Sequence, residues 1–352
     1  MLNKKRWNKL YHQNKNILFR ISGGQAFGKE LGTGHIYRAM NIASKLKPNK
    51  LFFLVEDYGK SIAFLKKNGY QNTFKLKKEV DIKTDIDITK KIIQDNNIDI
   101  LIVDKFDFNT KKFVKQLHKI IKTVVIPDVN KIDYDADLVI NGFIGYKNQI
   151  RKNRFGSKCV LGPRYQIIHK NYEKKISPKK KKYTILATFG GFDENNLFDI
   201  FCQNLENYLE QIKVKIILGP VTKKSKILKK LELKYSKNLF VINETKNMRK
   251  EISETSFGFC AGGITTYEFA TMNIPFAIIC QYKHQLLTAK AWEKRKIAYN
   301  LGLPSNNSNI KIQKILNKIF SGDVNLDNYK GHNIVDGLGS KRAADQILKL
   351  FE

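Results

Sequence analysis

Short apolar runs alternate along the first half of the chain with segments whose apolar residues recur every three or four positions. The runs are typical of buried strands, and the spacing is typical of helices with one apolar face. The helical spacing is clearest at Ile36, Met40, Ala43 and Leu46. The predicted strands cover residues 17–21, 51–55, 98–103, 123–126 and 138–140, and the predicted helices cover residues 35–46, 61–67 and 113–121.

The same alternation restarts at residue 183, after a change in composition. Residues 170–182, KNYEKKISPKKKK, hold a proline, a basic run and little that could be buried. We interpret this segment as a solvated basic linker, with a patch that binds anions or membranes as the alternative. Beyond it, the predicted strands cover residues 183–189, 214–218, 239–242, 257–260 and 276–280, and the predicted helices cover residues 197–209, 225–235, 265–271 and 288–295.

Strands this apolar, separated by helices, predict an α/β fold whose parallel sheets are covered on both faces. Two repeats of the pattern predict two doubly wound, Rossmann-like domains that face each other across a cleft. The predicted domains are residues 17–169 and 183–352, with the option that the last helix packs back on the N-terminal domain. Ligands in such sheets bind at the carboxyl ends of the strands, so residues there are candidates for function.

The charge is strongly positive. Lys and Arg number 64 against 32 Asp and Glu, which gives a formal net charge of +32 and admits a nucleic-acid binder. Only nine of the 64 are Arg, the residue best suited to bidentate recognition of phosphates and bases. We therefore attribute most of the charge to compositional bias and expect no specific nucleic-acid partner. A positive surface also suits anionic small ligands and peripheral association with an anionic membrane.

Composition excludes several other classes of protein. A hydrophobic content of 42% argues against a disordered chain, and no apolar run is long enough for a transmembrane helix. The first 16 residues lack the apolar core of a secretory signal. The cysteines are far apart, which excludes a disulfide scaffold and a zinc site of ordinary spacing and favours the cytoplasm. They are Cys159, Cys202, Cys260 and Cys280.

The first candidate site lies between the first predicted strand and its helix. The residues are Gly32, Thr33, Gly34 and His35, with Arg38 one helical turn later. Glycines let the backbone approach a ligand closely, and a helix N-terminus offers N–H groups to a phosphate. A histidine there can act as a general base near neutral pH, or it can merely cap or pack the helix. The pattern is neither the dinucleotide-binding G-x-G-x-x-G nor a P-loop.

The second candidate site is the pair Gly190-Gly191, which follows the strand predicted over residues 183–189. Successive backbone N–H groups in such a turn can cradle a diphosphate. An ordinary turn between a strand and a helix is the alternative.

The third candidate site begins with Gly262-Gly263 at the end of the strand predicted over 257–260. Thr265 and Thr266 can cap the next helix or bind a phosphate. Glu268 lies in the first turns of that helix, where it can accept hydrogen bonds from ribose hydroxyls or merely complement the helix dipole. Three further candidates are Asp104, which ends the strand over 98–103, and the pair His284 and Gln285.

Six segments carry a family resemblance, in this order: GTGHIYRAMNIASKL, LIVDKF, VLGPRYQII, ATFGGFDENNL, AGGITTYEFATMNIP and VDGLGSKRAADQIL. Together they resemble the UDP-sugar hydrolase of pseudaminic acid biosynthesis and the related spore-coat polysaccharide biosynthesis proteins, across residues 17–349. The GGxxTxxE region is also similar to that of the wider GT-B glycosyltransferases. The resemblance implies a GT-B fold, a UDP-sugar in the interdomain cleft, no metal or other cofactor, and His35 as the base for an attacking water. The remaining candidates are predicted to contact the substrate: Gly32, Gly34, Arg38, Asp104, Gly190, Gly191, Gly262, Gly263, Thr265, Thr266, Glu268, His284 and Gln285.

Two departures from the hydrolase pattern favour the spore-coat branch. The hydrolase usually has an aspartate shortly after the arginine of the first strand, but here Arg20 is followed by Ile21 and Ser22, and a longer loop covers residues 25–31. An Asn-Gln pair of the hydrolase appears here as His284-Gln285.

Three functions are therefore weighed. The first is a nucleotide-sugar hydrolase that makes a deoxy-diacetamido sugar, or a similar one, for surface polysaccharide or flagellar glycan. The second is a glycosyltransferase of the same fold, in which His35 deprotonates an acceptor hydroxyl. The third is a non-catalytic protein that binds nucleotide sugars or nucleic acid. The fold alone does not decide among them, because one fold hosts many functions.

Overall fold

The structure is a computed structural model that describes residues 14–24, 34–46, 49–105, 109–174, 181–219, 222–305, 307–324 and 329–352. It divides into two compact units. Unit 1 comprises residues 1–169 and 338–352, and unit 2 comprises residues 170–337.

The described strands are β1 Asn16–Gly24, β2 Lys50–Tyr58, β3 Thr73–Leu76, β4 Ile100–Asp104, β5 Lys122–Val125, β6 Leu138–Asn141, β7 Gln149–Lys152, β8 Lys158–Leu161, β9 Tyr183–Thr188, β10 Val214–Ile217, β11 Leu239–Ile242, β12 Thr255–Cys260, β13 Phe276–Ile279 and β14 Ala298–Gly302.

The described α-helices are α1 Gly34–Ala43, α2 Ser61–Lys67, α3 Ile82–Asp95, α4 Thr110–Leu117, α5 Leu197–Leu205, α6 Lys226–Lys234, α7 Met248–Ser253, α8 Thr265–Thr271, α9 Gln285–Lys294, α10 Ser308–Ser321 and α11 Gly339–Leu348. Short 3-10 helices cover Pro163–Tyr165, Lys170–Glu173, Glu206–Tyr208, Gly331–Asn333 and Lys349–Phe351.

Unit 1 is built on a sheet of order β3-β2-β1-β4-β5-β6-β8-β7. Its described strand pairs are parallel, except that β7 and β8 are antiparallel. Alternate residues of β1 point to opposite faces, so Ile17 and Phe19 join one apolar cluster and Leu18 joins another. Helices α1 and α11 contribute to the first cluster, and α3 and α4 contribute to the second. The sheet is therefore covered on both faces.

Unit 2 is built on a parallel sheet of order β11-β10-β9-β12-β13-β14. This is the 3-2-1-4-5-6 order of the doubly wound dinucleotide-binding folds. The strand order reverses between β9 and β12, as it does between β1 and β4 in unit 1. In both units the crevice expected for a ligand therefore lies at the carboxyl ends of these two strand pairs.

Two boundaries of the predicted domains can be compared with the units. Residues 338–352 belong to unit 1, which is the option left open for the last helix, because Ala343, Ala344 and Ile347 of α11 pack into the first apolar cluster. The predicted linker begins as an ordered part of unit 2: Lys170–Glu173 is a 3-10 helix, and Tyr172 is 2% exposed. Its residues 175–180 lie outside the described part of the chain.

Candidate functional site

The candidate site of unit 1 lies where the strand order reverses. β1 and β4 are neighbours with Ile21 paired to Asp104, the last residue of β4. α1 follows β1 in the chain and carries His35 in its first turn and Arg38 one turn later. The fold thus brings together three side chains that are up to 69 positions apart. Gly32 and the loop 25–31 lie outside the described residues, and Gly34 is exposed with open space around its α-carbon.

The side chains of His35, Arg38 and Asp104 form a hydrogen-bonded triad. His35 Nδ1 lies 2.5 Å from Asp104 Oδ1, and Arg38 Nε donates to Asp104 Oδ2 over 2.7 Å. Arg38 Nη2 also donates to Asp104 Oδ1. Asp104 is fully buried, whereas His35 keeps 8% of its surface exposed. The carboxylate is therefore the inner member of the triad, and the imidazole is the outer one.

The triad fixes the tautomer of His35. A carboxylate only accepts hydrogen bonds, so the Nδ1 atom that faces it carries hydrogen. In the neutral ring the lone pair is then on Nε2, which is the arrangement that a general base requires. Arg38 Nη2 also lies 3.1 Å from His35 Nδ1, but both atoms are donors in this arrangement, so the contact is a close approach and not a hydrogen bond.

Asp104 remains ionised over the whole physiological pH range. Burial by itself would raise its pKa, but the charges of Arg38 and His35 and their hydrogen bonds outweigh burial and lower the pKa to about 2. A carboxylate held in this state orients the imidazole and stabilises the imidazolium that forms when Nε2 accepts a proton.

A second ionic cluster in unit 1 was not predicted. Arg20 is fully buried, donates to both carboxylate oxygens of Asp85 over 2.8 Å, and lies 3.3 Å from Glu56 Oε2. Lys105 Nζ donates to Asp85 Oδ2 over 2.7 Å. Two cations thus balance two carboxylates beside the end of β4, which favours a structural role for the cluster. The sequence feature that could have revealed this cluster is Arg20, a charged residue inside an apolar strand.

In unit 2 the candidate residues follow the ends of three neighbouring strands. Gly190-Gly191 follow β9, Gly262-Gly263 follow β12, and Gln281 to Gln285 follow β13. Gly190 has a φ of +98°, in the region that favours glycine, and it is exposed. The turn packs closely on Gly219, because a Cβ there would lie 2.3 Å from the Gly191 carbonyl oxygen.

Two glutamine side chains connect these turns. Gln285 Oε1 accepts hydrogen bonds from Gly262 N over 3.2 Å and from Gln281 N over 2.8 Å. Gln281 Nε2 donates to Asp193 Oδ1 over 2.7 Å. The N–H of Gly262 and the side-chain oxygen of Gln285 are therefore engaged within the protein. Gln281 did not stand out in the sequence, and its position after β13 was its one signal.

In the turn after β12 some candidate residues are exposed and others are buried. Thr266 is fully buried and its hydroxyl donates to the Gly263 carbonyl over 2.8 Å, so this side chain shapes the turn. Gly263 itself is exposed, with open space where a Cβ would point. Thr265 is partly exposed and hydrogen-bonds to Glu268. The exposed backbone at Gly263 is consequently what this turn offers to a ligand, because the Gly263 carbonyl accepts from Thr266 and the Thr265 hydroxyl is bonded to Glu268.

Glu268 has an unusually basic carboxyl for a glutamate. Burial raises its pKa to about 7, although hydrogen bonds with Tyr172 and Thr265 act in the opposite direction. Glu268 is partly exposed as a residue, but its carboxyl group, which carries the proton, lies deep in unit 2. Near neutral pH this carboxyl can therefore be either ionised or protonated.

His284 follows β13 and packs against Tyr282. It is half-buried, its ring stacks on Tyr282 with 5.8 Å between centroids, and the Tyr282 hydroxyl donates to Glu194 Oε2 over 2.9 Å.

Elsewhere, all four cysteines are buried and free. Within the described residues, helices are too short or too polar to span a bilayer.

Comparisons with known proteins agree with this architecture. No protein-family profile matches the chain. The chain is 27% identical over 280 residues to uncharacterized protein MJ1062 of Methanocaldococcus jannaschii, covering 73% of this chain but only 54% of that protein, about half its length. It is 25% identical over 348 residues to the spore coat polysaccharide biosynthesis protein SpsG of Bacillus subtilis, covering 92% of this chain and 96% of that protein.

Solved structures show the same fold at low sequence identity. MurG of Acinetobacter baumannii has a TM-score of 0.63 at 14% identity, covering 96% of this chain and 99% of its own. The S. aureus MnaA–UDP structure has a TM-score of 0.63 at 11% identity, covering 96% of both chains. The chain therefore has the GT-B fold, with two Rossmann-like units.

Proposed function

We propose that this protein is a nucleotide-sugar hydrolase that releases UDP from a UDP-linked deoxy-diacetamido sugar, of the kind of UDP-2,4-diacetamido-2,4,6-trideoxy-altropyranose. The product would serve nonulosonic acid or surface polysaccharide biosynthesis. The observation that carries the proposal is the hydrogen bond from His35 Nδ1 to a buried, ionised Asp104, which leaves Nε2 as a base. Asp104, which was predicted to contact the substrate, would instead orient His35.

The chemical step follows from this arrangement. A water molecule bound at His35 Nε2 attacks the anomeric carbon, and its proton passes to Nε2. The bond between that carbon and the diphosphate oxygen breaks, and UDP departs with the electron pair. Asp104 stabilises the resulting imidazolium, and Arg38 keeps the carboxylate ionised and in place.

Unit 2 would bind the UDP part of the same molecule. The exposed backbone around Gly190 and Gly263 can donate N–H groups to the diphosphate, where negative charge grows as UDP leaves. The Thr265 hydroxyl could join this set only by turning away from Glu268, and the Glu268 carboxylate can accept hydrogen bonds from the ribose. The Gln281 and Gln285 side chains would hold the turns in register rather than contact the ligand.

The relatives support the substrate class. SpsG is described as a spore coat polysaccharide biosynthesis protein, and the MnaA structure is a co-structure with UDP. These likenesses favour a nucleotide sugar over a nucleic acid.

A glycosyltransferase is the second candidate, because glycosyltransferases are among the structural neighbours and the same base can act on an acceptor hydroxyl. In that case Nε2 would take the proton from the acceptor instead of from water.

Incubation with a panel of UDP-sugars, with and without candidate acceptors, tests both. UDP and free sugar are scored together by chromatography. Stoichiometric UDP and free sugar without any acceptor support hydrolysis. UDP release that requires an acceptor supports transfer, and binding of UDP without turnover across the panel contradicts both enzymes.

A further inference from the structure

Asp85 of α3 connects the ends of two neighbouring strands in unit 1. Its carboxylate accepts hydrogen bonds from Nε and Nη2 of Arg20 in β1, both over 2.8 Å. The same carboxylate accepts a hydrogen bond from Lys105 Nζ over 2.7 Å, and Lys105 directly follows β4. Asp85 is 1% exposed and both cations are buried, so solvent screens these ion pairs little.

Each ion pair fixes the end of one strand. Arg20 Nη1 donates to the Ile21 carbonyl over 2.8 Å, so the guanidinium that binds Asp85 also holds the backbone of β1. The Lys105 ammonium lies 4.6 Å from the ring centre of Phe113 in α4, which confines it from a second side. Both strand ends are therefore held to α3 through one carboxylate.

The same strand ends carry the triad of the candidate site. Within the described residues, the pairing of β1 with β4 ends at Ile21 and Asp104. Asp104 contacts α1 on one face of the sheet, and Lys105 contacts α3 and α4 on the other. The ion pair of Lys105 with Asp85 thus fixes the residue that follows Asp104. A shift of the backbone there would lengthen the 2.5 Å contact between Asp104 Oδ1 and His35 Nδ1.

The composition of the cluster also favours a geometric role. Arg20 and Lys105 supply two positive charges, and Asp85 and Glu56 supply two negative ones. Asp85 pairs with both cations, which makes it the group that connects β1 with the end of β4. Buried ion pairs contribute little net stability compared with apolar side chains of the same size. Fixing the strand ends accounts better for such a cluster than stabilising the fold does.

We propose that Asp85 and Lys105 are positioning residues for the triad, because their ion pair holds the end of β4 where Asp104 Oδ1 meets His35 Nδ1. The inference rests on the proposed function for its effect on turnover, but not for its effect on the His35 ring. A misplacement of about 1 Å can cost about a hundred-fold in rate, so loss of the ion pair should lower kcat. Substrate binding should change little, since the proposed UDP contacts are in unit 2.

Lys105→Met tests the proposal, because it removes the ammonium and keeps an unbranched apolar side chain against Phe113. Lys105→Arg, which keeps a cation for Asp85, is the conservative variant. The matched control is Lys215→Met in β10 of unit 2. The Lys215 ammonium pairs with Glu251 and lies 4.4 Å from the ring centre of Tyr183, so it has the same two kinds of contact as Lys105. This control reports the general cost of losing such an ion pair.

The first readout is the imidazole of His35, observed by nitrogen-15 NMR of the full chain labelled at histidine. The His35 signals are those that disappear in His35→Ala. In the unmodified protein we expect the neutral ring to carry its hydrogen on Nδ1, with the strongly deshielded proton of a short hydrogen bond to a carboxylate. Lys105→Met should shift this proton and produce a mixture of tautomers, whereas Lys105→Arg and Lys215→Met should leave it in place. An unchanged His35 signal in Lys105→Met overturns the inference.

The second readout is steady-state kinetics on the UDP-sugar that the panel identifies. We expect Lys105→Met to lower kcat about ten- to a hundred-fold while KM stays within about two-fold, and Lys105→Arg to recover most of the loss. Lys215→Met should keep its kcat. Equal kcat values in Lys105→Met and Lys215→Met overturn the inference.

A second variant covers the case in which Lys105→Met does not fold. The double variant Asp85→Asn/Lys105→Met removes one charge of each sign and leaves Arg20 paired with Glu56. Its His35 signal and its kcat should change as predicted for Lys105→Met, and a signal and kcat like those of the unmodified protein overturn the inference. Absence of turnover by the unmodified protein across the panel contradicts the proposed function, and the His35 signals then decide this inference alone.

Discussion

At the scale of single residues, the role of a candidate side chain depends on the side chains that contact it. His35 was a histidine after a glycine-containing loop, for which the local pattern left a base and a capping residue equally open. Asp104 and Arg38 favour the base, because a buried carboxylate at 2.5 Å is more than helix capping requires. The sequence could not predict this pairing, since 69 positions separate the two side chains and only the strand order joins them.

Replacing His35 tests its chemical role. A general base contributes typically about a hundred- to ten-thousand-fold to turnover. We expect His35→Ala to lower kcat within that range on the true substrate while the Kd for UDP changes little, because the proposed nucleotide contacts are in unit 2.

The matched control is His118→Ala, which removes a partly exposed histidine that lies near Asp135 and Asp137 in the same unit. It should keep its turnover. Near-full turnover in His35→Ala would show that His35 is structural, and it would direct the search for a base to His284.

The raised pKa of Glu268 should make the free energy of unfolding depend on pH. Its folded pKa of about 7 lies above its ordinary value of 4.5, so the folded state binds the proton more tightly. The resulting contribution to the free energy of unfolding is fully present below about pH 4.5 and is lost as the pH rises through 7. By linkage it amounts to roughly 3 kcal/mol.

Glu268→Gln should therefore remove a decrease in the free energy of unfolding between pH 5 and pH 8 that the unmodified protein shows. Urea denaturation at several pH values measures it. Parallel stability curves for the two proteins would mean that Glu268 is ionised in the folded state at all these pH values.

At the scale of elements, apolar patterns predicted the strands and helices that carry the candidate site. β1, α1, β4, β9 and β12 were all anticipated within a few residues. β1 extends beyond its predicted end, because Ser22 to Gly24 pair with Glu56 to Tyr58 of β2.

Several elements escaped prediction, and two of them show why apolar patterns can fail. α3 has the buried residues Asp85, Ile86, Thr89 and Ile92, so half of its inner face is polar. Asp85 is buried because it pairs with Arg20 and Lys105, which are far away in the chain. β7 is exposed along its whole length and gives no apolar signal. Apolar periodicity cannot reveal such segments.

The turn after β9 offers a test at this scale. In Gly219→Ala the new Cβ would lie 2.3 Å from the Gly191 carbonyl oxygen, and the turn would have to move. We expect a loss of stability of roughly 1–3 kcal/mol, as for overpacked sites, together with a higher Kd for UDP. Thermal unfolding and calorimetry measure the two effects.

Gly263→Ala is the control for stability, since the added Cβ would point into open space and the φ of Gly263 is not positive. It should unfold at nearly the temperature of the unmodified protein. An unchanged Kd for UDP in a destabilised Gly219→Ala would separate this turn from the nucleotide site.

At the scale of the whole molecule, the repeated βα pattern predicted two Rossmann-like units, and the structure and its neighbours confirm the GT-B fold. For the last helix, packing on the N-terminal domain was predicted only as an option. α11 follows the second unit in the chain but packs its Ala343 and Ile347 in the first. A pattern read along the chain shows that a helix is amphipathic and not which sheet receives its apolar face.

Nucleotide binding is the property of the whole molecule that is simplest to check. UDP at a hundred times its Kd should stabilise the folded state by about 2.7 kcal/mol, which raises the melting temperature. Uridine, which lacks the diphosphate, should stabilise less at equal concentration because the turns at Gly190 and Gly263 would be left empty. Equal effects of UDP and uridine would remove these turns from the site.

The most direct test of the central claim is the fate of the oxygen atom of water. The reaction is run in water enriched in oxygen-18 on the UDP-sugar that the panel identifies, and both products are examined by mass spectrometry. Attack of water on the anomeric carbon predicts one heavy oxygen in the free sugar and none in UDP, at a rate that His35→Ala reduces. Heavy oxygen in UDP would place the attack at phosphorus, and free sugar without label would exclude the direct attack of water; either result would contradict the account.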